Sequence, residues 1–313
     1  MELEVIICTH NRAALLERTL RFLDQAERPA GWNVSVLAVA NACSDGTQAL
    51  LEARSGDGRG LPLRWAAEAR PGKSYALNHA IEVTTGDLVA FVDDDHRVDG
   101  RYLSEIGRAA EAYPEATIFC GRILPDWDGS EPVWVHDRGP YAIYPLPIPR
   151  YDQGAEPRPY GPEMSVPGGG NLALRRGVFD RVGGFSLELG PHGHDLGGGE
   201  DSDFVLRALA AGERLQYVPG VLQYHYVDLE RLRLGYLIRK AYQRSRSVTQ
   251  VRAAGATGVP LYLVRKLGAY FSAGLGSLYW PATRYYLVRM AAAMGEMRGH
   301  LRASGTTPGG MRP

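Results

Sequence analysis

One stretch constrains the fold more than any other: the uninterrupted apolar run Leu88 to Val92, which stops abruptly on Asp93, Asp94 and Asp95 and is followed by His96. A short continuous apolar run bounded by turn residues reads as a strand covered on both faces, the habit of parallel sheets. Open α/β sheets bind ligands beyond the carboxyl ends of their strands, and that is where the aspartates fall. Adjacent carboxylates repel one another unless a cation or hydrogen-bond donors sit among them. Carboxylate oxygens suit hard divalent ions such as Mg²⁺ or Mn²⁺, which are often shared with phosphates. The competing reading is a solvated acidic turn that caps a following helix.

The rest of the first half repeats the pattern. Leu3 to Cys8 reads as a first strand, and Leu15, Leu16, Thr19, Leu20 and Leu23 recur at helical spacing after the turn Thr9-His10-Asn11-Arg12. Val34 to Ala40 and Leu61 to Ala66 read as further strands, each followed by a helical pattern, the second one entered through Arg70-Pro71-Gly72-Lys73-Ser74. Strand and helix alternate, which predicts an α/β fold with a mostly parallel sheet flanked by helices. GxGxxG is missing after the first strand, and GxxxxGK[ST] is missing throughout, which argues against a dinucleotide oxidoreductase and a P-loop NTPase.

Farther on, Pro125 to Pro167 is long and rich in Pro, Gly and aromatics: Trp127, Trp134, Tyr141, Tyr144, Tyr151 and Tyr160. Long loops in compact domains are usually functional or disordered, and these rings either stack on sugars or hold the loop down. A turn at Gly168 to Asn171 leads into a short strand. A second acidic site, Glu200 and Asp201, opens a helix behind Gly197, Gly198 and Gly199. Carboxylates suit a helix N-terminus, but capping does not require the glycine lead-in, which resembles the hinge of a closing loop. Leu215 to Val218 and Val221 to Tyr226 read as two strand-like runs, with His225 between tyrosines.

Charge divides the chain. From Leu229 to Pro313 there are 14 Lys or Arg against 2 Glu, a net of +12 that the remainder cancels. The tail holds helical patterns over Leu229 to Arg252, Leu261 to Leu267 and Tyr285 to Met297, with basic residues beside Tyr, Trp and Leu. That is the composition of helices lying in a membrane interface. Its longest uncharged run, Leu267 to Thr283, is shorter than the roughly 20 residues a spanning helix needs. Peripheral attachment to an anionic membrane surface is therefore expected. Packing as a subdomain, or as a homodimer interface, is the alternative. The three cysteines (Cys8, Cys43, Cys120) have neither metal nor disulfide spacing, and the chain opens on a strand pattern rather than a signal sequence, so a cytoplasmic location is expected.

Taken in order, several pieces together resemble glycosyltransferase family 2 with the GT-A fold. They are Ile7 to Arg12, Asn41 to Thr47, Gly72 to Asn78, Asp93 to Asp95, Gly170-Asn171 with Arg175-Arg176, Gly183 to Phe185, and Gly199 to Asp201. The likeness covers about Met1 to Tyr226, so a GT-A domain over 1–228 with a Rossmann-like sheet, and a basic helical extension over 229–313, are expected. The resemblance implies an inverting transfer of a sugar from a nucleotide-diphospho-sugar of the UDP or GDP type to an acceptor hydroxyl, in polysaccharide or glycolipid synthesis. It places Thr9, Asn11, Arg12, Asn41, Lys73, Asn78, Asp93 and Asp94 around the donor. Asp95 and His225 would hold Mg²⁺ or Mn²⁺, and Asp201, with Glu200 beside it, would be the catalytic base. Gly170, Asn171, Gly199 and Trp134 would lie toward a glycan or lipid-linked acceptor. Ala40 stands where the family commonly has an acidic residue, so the base of the nucleotide is left open. A sugar-nucleotide or glycan-binding protein on the same fold is the alternative, since fold alone does not fix function. A nucleotidyltransferase would need a basic triphosphate loop that Thr9 to Arg12 does not supply. Nucleic acid is not expected as a partner.

Overall fold

The computed structural model describes residues 1–189, 199–252 and 258–305, and the chain forms two compact units. The first unit contains Met1–Asp126 and Pro149–Tyr226. It begins with β1 (Glu2–Thr9), α1 (Ala13–Gln25), β2 (Asn33–Asn41), α2 (Thr47–Gly56), β3 (Leu63–Glu68), α3 (Lys73–Val83) and β4 (Leu88–Phe91). These four strands are parallel, in the order β3-β2-β1-β4. Both sheet faces are covered. Along β1, Leu3, Val5 and Ile7 pack with Leu16, Leu20 and Leu23 of α1, while Ile6 joins Ala76, Leu77 and Ala80 of α3 on the other face. This two-residue alternation, buried on both sides, is why Leu3 to Cys8 reads as an apolar run broken only by Glu4.

The second half of the unit holds β5 (His96–Val98), α4 (Tyr102–Ala112), β6 (Ile118–Asp126), β7 (Arg158–Pro159), β8 (Leu172–Arg175), α5 (Gly177–Val182), α6 (Glu200–Ala210) and β9 (Leu215–Tyr226). It continues the sheet as β4-β8-β6-β9-β5, with β7 beside β9. Here β8 runs antiparallel to both β4 and β6, so the sheet is parallel on one side and mixed on the other. The two runs expected near residue 220 are one strand. Its pairing with β6 shifts register between Cys120 and Arg122, where a Cβ on Gly121 would overlap the carbonyl oxygen of Val221. Such a bulge lets one strand accompany its neighbour around a bend.

The second unit contains Trp127–Ile148 and the described residues from Val227 onward. Three of the loop aromatics, Trp127, Trp134 and Tyr141, hold this segment in place, while Tyr144 is exposed. Trp127, Trp134 and Val135 pack on Ile148, Val227 and Leu232. Arg284 lies 4.7 Å from the centre of the Trp134 ring and is paired with Asp137 at 2.8 Å, and Tyr141 meets Tyr279, Tyr285 and Tyr286 edge-on. Three helices follow: α7 (Leu234–Arg252), α8 (Leu261–Leu275) and α9 (Trp280–Gly305). They pack on one another, α9 touching both α7 and α8. A Cβ on Gly299 would lie 2.7 Å from the Arg246 carbonyl oxygen, so the glycine permits the close approach of α9 to α7. No described helix is long and apolar enough to cross a membrane.

Candidate active site

The parallel half of the sheet sends the ends of β1, β2 and β4 to one edge, and a cleft of ≈ 310 Å³ opens there. It is lined by Thr9, Arg12, Asn41, Lys73, Asp93, Asp94, Asp95 and His225 among others. Its size is within the range of small-ligand sites.

The three aspartates do three different things. Asp94 is turned inward: its carboxylate accepts from Thr9 Oγ1 at 2.7 Å and from Arg12 at 2.9 Å, which fastens the loop after β1 to the end of β4. Burial pushes its pKa up, against the pull of Arg12. Asp95 faces Arg12 at 3.0 Å and His225 Nε2 at 3.8 Å. Asp93 meets Lys73 Nζ at 3.1 Å. Burial would raise the Asp93 carboxyl, but Lys73 and His96 together hold it well below the usual range. Burial likewise would lower the Lys73 ammonium, but Asp93 and Asp201 keep it well above its ordinary value.

Lys73 also reaches Asp201, at 3.9 Å. Asp201 and Gly169 line a small second cavity that shares Cys8, Lys73 and Asp93 with the first. The two acidic sites, remote in sequence, thus meet across one lysine. Gly199 has φ +115° and precedes α6, and no side chain caps that helix, so Asp201 is not occupied as a cap. Asp201 Oδ1 and Glu200 Oε2 are buried and have no hydrogen-bond partner among the described residues. Burial, followed by the charge of Asp201, pushes the Glu200 carboxyl up. A Cβ on Gly169 would overlap the Asp201 carboxylate, and one on Gly170 would overlap that of Asp93, so the two glycines leave both carboxylates room to stand where they do. Gly197 and Gly198, expected as a hinge, lie outside the described residues.

Other expected site residues are braces here. Asn41 donates to the Glu68 and Arg70 carbonyls and accepts from Gly72 N–H, holding the turn that presents Lys73. Asn11 accepts from the backbone N–H of Ser44 and Asp45, tying the loop after β1 to the loop after β2. Asn78 exchanges both amide groups with the backbone of Phe185, and Asn171 is 1% exposed with its amide committed inside the sheet. Trp134 belongs to the other compact unit.

Asp95, His96 and His225 bring one oxygen and two ring nitrogens within 4.8 Å of one another. The register of β5 against β9 puts His96 opposite His225. His225 Nδ1 lies 2.6 Å from the Tyr226 carbonyl oxygen and donates to it, which leaves Nε2 unprotonated toward Asp95. His96 Nε2 is buried and has no hydrogen-bond partner among the described residues. A buried donor atom without a partner beside a carboxylate and a second imidazole fits a divalent ion. His96 escaped the sequence reading, although it directly follows the aspartates. Its pairing with His225 depends on a strand register that no local pattern reveals.

The sequence matches the family described as Glycosyl transferase family 2 over residues 4–183. It is similar to the succinoglycan biosynthesis protein ExoM of Rhizobium meliloti, 24% identical over 260 residues, which cover 83% of this chain and 78% of that protein. It is also similar to the glucosyl-dolichyl phosphate glucuronosyltransferase of Haloferax volcanii, 24% identical over 248 residues, covering 77% and 74%. The fold resembles that of the mannosyltransferase PcManGT from Pyrobaculum calidifontis, solved with GDP-Man and Mn²⁺, at a TM-score of 0.53 and 18% identity over 93% of this chain and 86% of the other.

Proposed function

The chain belongs to glycosyl transferase family 2 and is a glycosyltransferase, and from that premise we propose an inverting, divalent-metal-dependent transfer of a sugar from a nucleotide-diphospho-sugar to a hydroxyl of a lipid-linked glycan. The observation that carries this reading is the meeting of the two acidic sites at Lys73. In this reading Asp93 to Asp95 serve the donor in the larger cleft, and Asp201 serves the acceptor from the smaller cavity that adjoins it.

Asp95 and His225 would hold the ion, and with imidazole nitrogen in the set Mn²⁺ is favoured over Mg²⁺. When bound, such an ion neutralises charge on a departing diphosphate. The protein's own groups do the rest. Lys73, kept protonated, adds a second positive charge at the same place. Arg12 ties Asp94 and Asp95 together and keeps the floor of the donor site rigid. Asp201 holds an unpartnered oxygen ready to accept the acceptor's proton as that hydroxyl attacks. With Asp201 acting as the base on the attacking hydroxyl, the transfer is a single displacement that inverts the anomeric centre. In this reading Asn41, Asn11 and Asn78 shape the donor pocket through the loops they brace, and Gly169 and Gly170 set the floor between donor and acceptor.

A lipid-linked acceptor is supported by the name of the Haloferax relative, whose substrate is a glucosyl-dolichyl phosphate. It is also supported by the surface of α8. Leu261, Val264, Phe271 and Leu275 are exposed along one side of that helix, Tyr262 is exposed at its first turn, and Leu278, Tyr279 and Trp280 are exposed just beyond it. Both acids of the tail are already paired, Glu230 with Arg233 and Glu296 with Lys266, in a segment of net charge +12. An apolar helix face in a strongly basic segment suits an anionic bilayer surface, here assigned to the cytoplasmic side. The decisive test of function is product analysis. Incubated with Mn²⁺, an α-configured nucleotide sugar and a lipid-pyrophosphate-linked sugar, the enzyme is expected to yield a β-linked product by NMR. An α-linked product, or hydrolysis alone across a full donor panel, would contradict the proposal.

A further inference from the structure

Beneath the cleft lies a chain of buried amides that the reaction does not touch. Gln223, on β9, is fully buried, and His96, Asn171 and Tyr102 around it are at most 2% exposed. We infer that Gln223, oriented by Asn171, fixes the tautomer of His96 and so makes His96 a third ligand of the metal proposed above. The inference rests on that metal reading.

The argument proceeds by elimination along the hydrogen bonds, beginning where there is no freedom. Asn171 Nδ2 lies 2.8 Å from the Arg122 carbonyl oxygen and 2.9 Å from that of Val221. Two backbone carbonyls can only accept, so the nitrogen must point to them. Asn171 Oδ1 is therefore the atom that faces Gln223, 3.0 Å from its amide nitrogen. The same Gln223 nitrogen lies 3.3 Å from the Phe91 carbonyl oxygen, another obligate acceptor, and 2.8 Å from the Tyr102 hydroxyl. Turning the Gln223 amide over would set oxygen against both the Phe91 carbonyl and Asn171 Oδ1. Gln223 Oε1 must then be the atom that meets His96 Nδ1. An amide oxygen only accepts, so Nδ1 carries the hydrogen.

The consequence falls on the other ring nitrogen. In the neutral imidazole, Nε2 is left with its lone pair. It is buried without a hydrogen-bond partner, 3.8 Å from Asp93 and 3.9 Å from Asp95. His225 reaches the same state by a different route, its Nδ1 donating to a backbone carbonyl. Metal-binding histidines are commonly oriented in this way by an acceptor on the far nitrogen, and loss of that acceptor typically lowers affinity 10- to 100-fold. Gln223 and Asn171 are positioning residues in this scheme, and neither touches substrate.

The test uses the full-length protein with ¹⁵N-labelled histidine, without nucleotide. In the metal-free state, His96 is expected to show a protonated Nδ1 and an unprotonated Nε2, and titrated ¹¹³Cd²⁺, a diamagnetic stand-in ion, is expected to show scalar coupling to Nε2 of both His96 and His225. A protonated Nε2 on His96 overturns the relay. Coupling to His225 alone overturns the inference while leaving the metal reading intact, and coupling to neither overturns both. Gln223→Leu, if it melts as a folded protein, is expected to bind Mn²⁺ about 10-fold or more weakly by EPR titration. Unchanged affinity in that variant would count against the relay. Should the variant fail to fold, the wild-type spectrum still decides.

Discussion

Asp201 is the residue on which catalysis turns in this account. Asp201→Asn keeps the shape of the side chain and removes its basicity. Turnover is expected to fall about 100-fold or more, the usual scale for general-base assistance, while donor affinity measured by calorimetry stays close to wild type. Normal turnover in Asp201→Asn together with loss in Glu200→Gln would move the role to Glu200, whose carboxyl is pushed up by burial and by the charge of Asp201. At this scale the chemistry-bearing types were legible: acids at a strand end and at a helix start, and a histidine on a late strand. Their connections were not. Nothing local indicates that Asn41 and Asn78 hold turns, or that Lys73 lies between Asp93 and Asp201, because each of these contacts joins segments far apart in the chain.

At the scale of elements, β1 carries an ion pair away from the cleft. Glu4 is nearly fully buried and accepts from Arg64 through both oxygens at 2.9 Å, from Thr84 Oγ1 at 2.6 Å and from Thr85 N–H at 3.1 Å. Burial alone would raise its pKa, but these donors together hold it below the ordinary value. A carboxyl whose pKa is lower in the folded state stabilises the fold above its unfolded pKa, and loses that contribution as the pH falls through the folded one. Glu4→Gln is therefore expected to cost about 2 kcal/mol at neutral pH, with the gap from wild type closing below about pH 4 in urea unfolding. A gap independent of pH would show that the charge of Glu4 has no part. Helix α8 makes a separate prediction. Phe271→Glu with Leu275→Glu removes about 3 kcal/mol or more of apolar burial, so binding to anionic liposomes should fall at least 100-fold without loss of helix content. Equal sedimentation of wild type and variant, or a change from dimer to monomer instead, would give this face to a second copy of the chain. The helices themselves were legible from their period. Which of their faces pack together depends on small residues such as Gly299, which a pattern of apolar residues does not reveal.

For the whole molecule, the parallel half of the sheet follows from largely apolar runs separated by helical patterns, and that half was readable in order. The mixed half was not. There β8 and β5 are short, and β9 reads as two strands because Pro219 and Gly220 interrupt its apolar run at the bulge opposite Gly121. The central claim, that the cleft at the ends of β1, β2 and β4 takes a nucleotide-diphospho-sugar together with a divalent ion, is tested most directly by thermal melting. UDP-, GDP- and dTDP-sugars are each added with Mn²⁺ or with chelator, to wild type and to Asp95→Ala. A ligand at about 100 times its Kd stabilises the folded state by about 2.7 kcal/mol, which raises Tm by several degrees in a chain of this size. One nucleotide class is expected to give that rise in wild type with Mn²⁺, and to lose most of it with chelator or in Asp95→Ala. An equal rise with and without metal in both proteins, or no rise with any nucleotide sugar, would contradict the account.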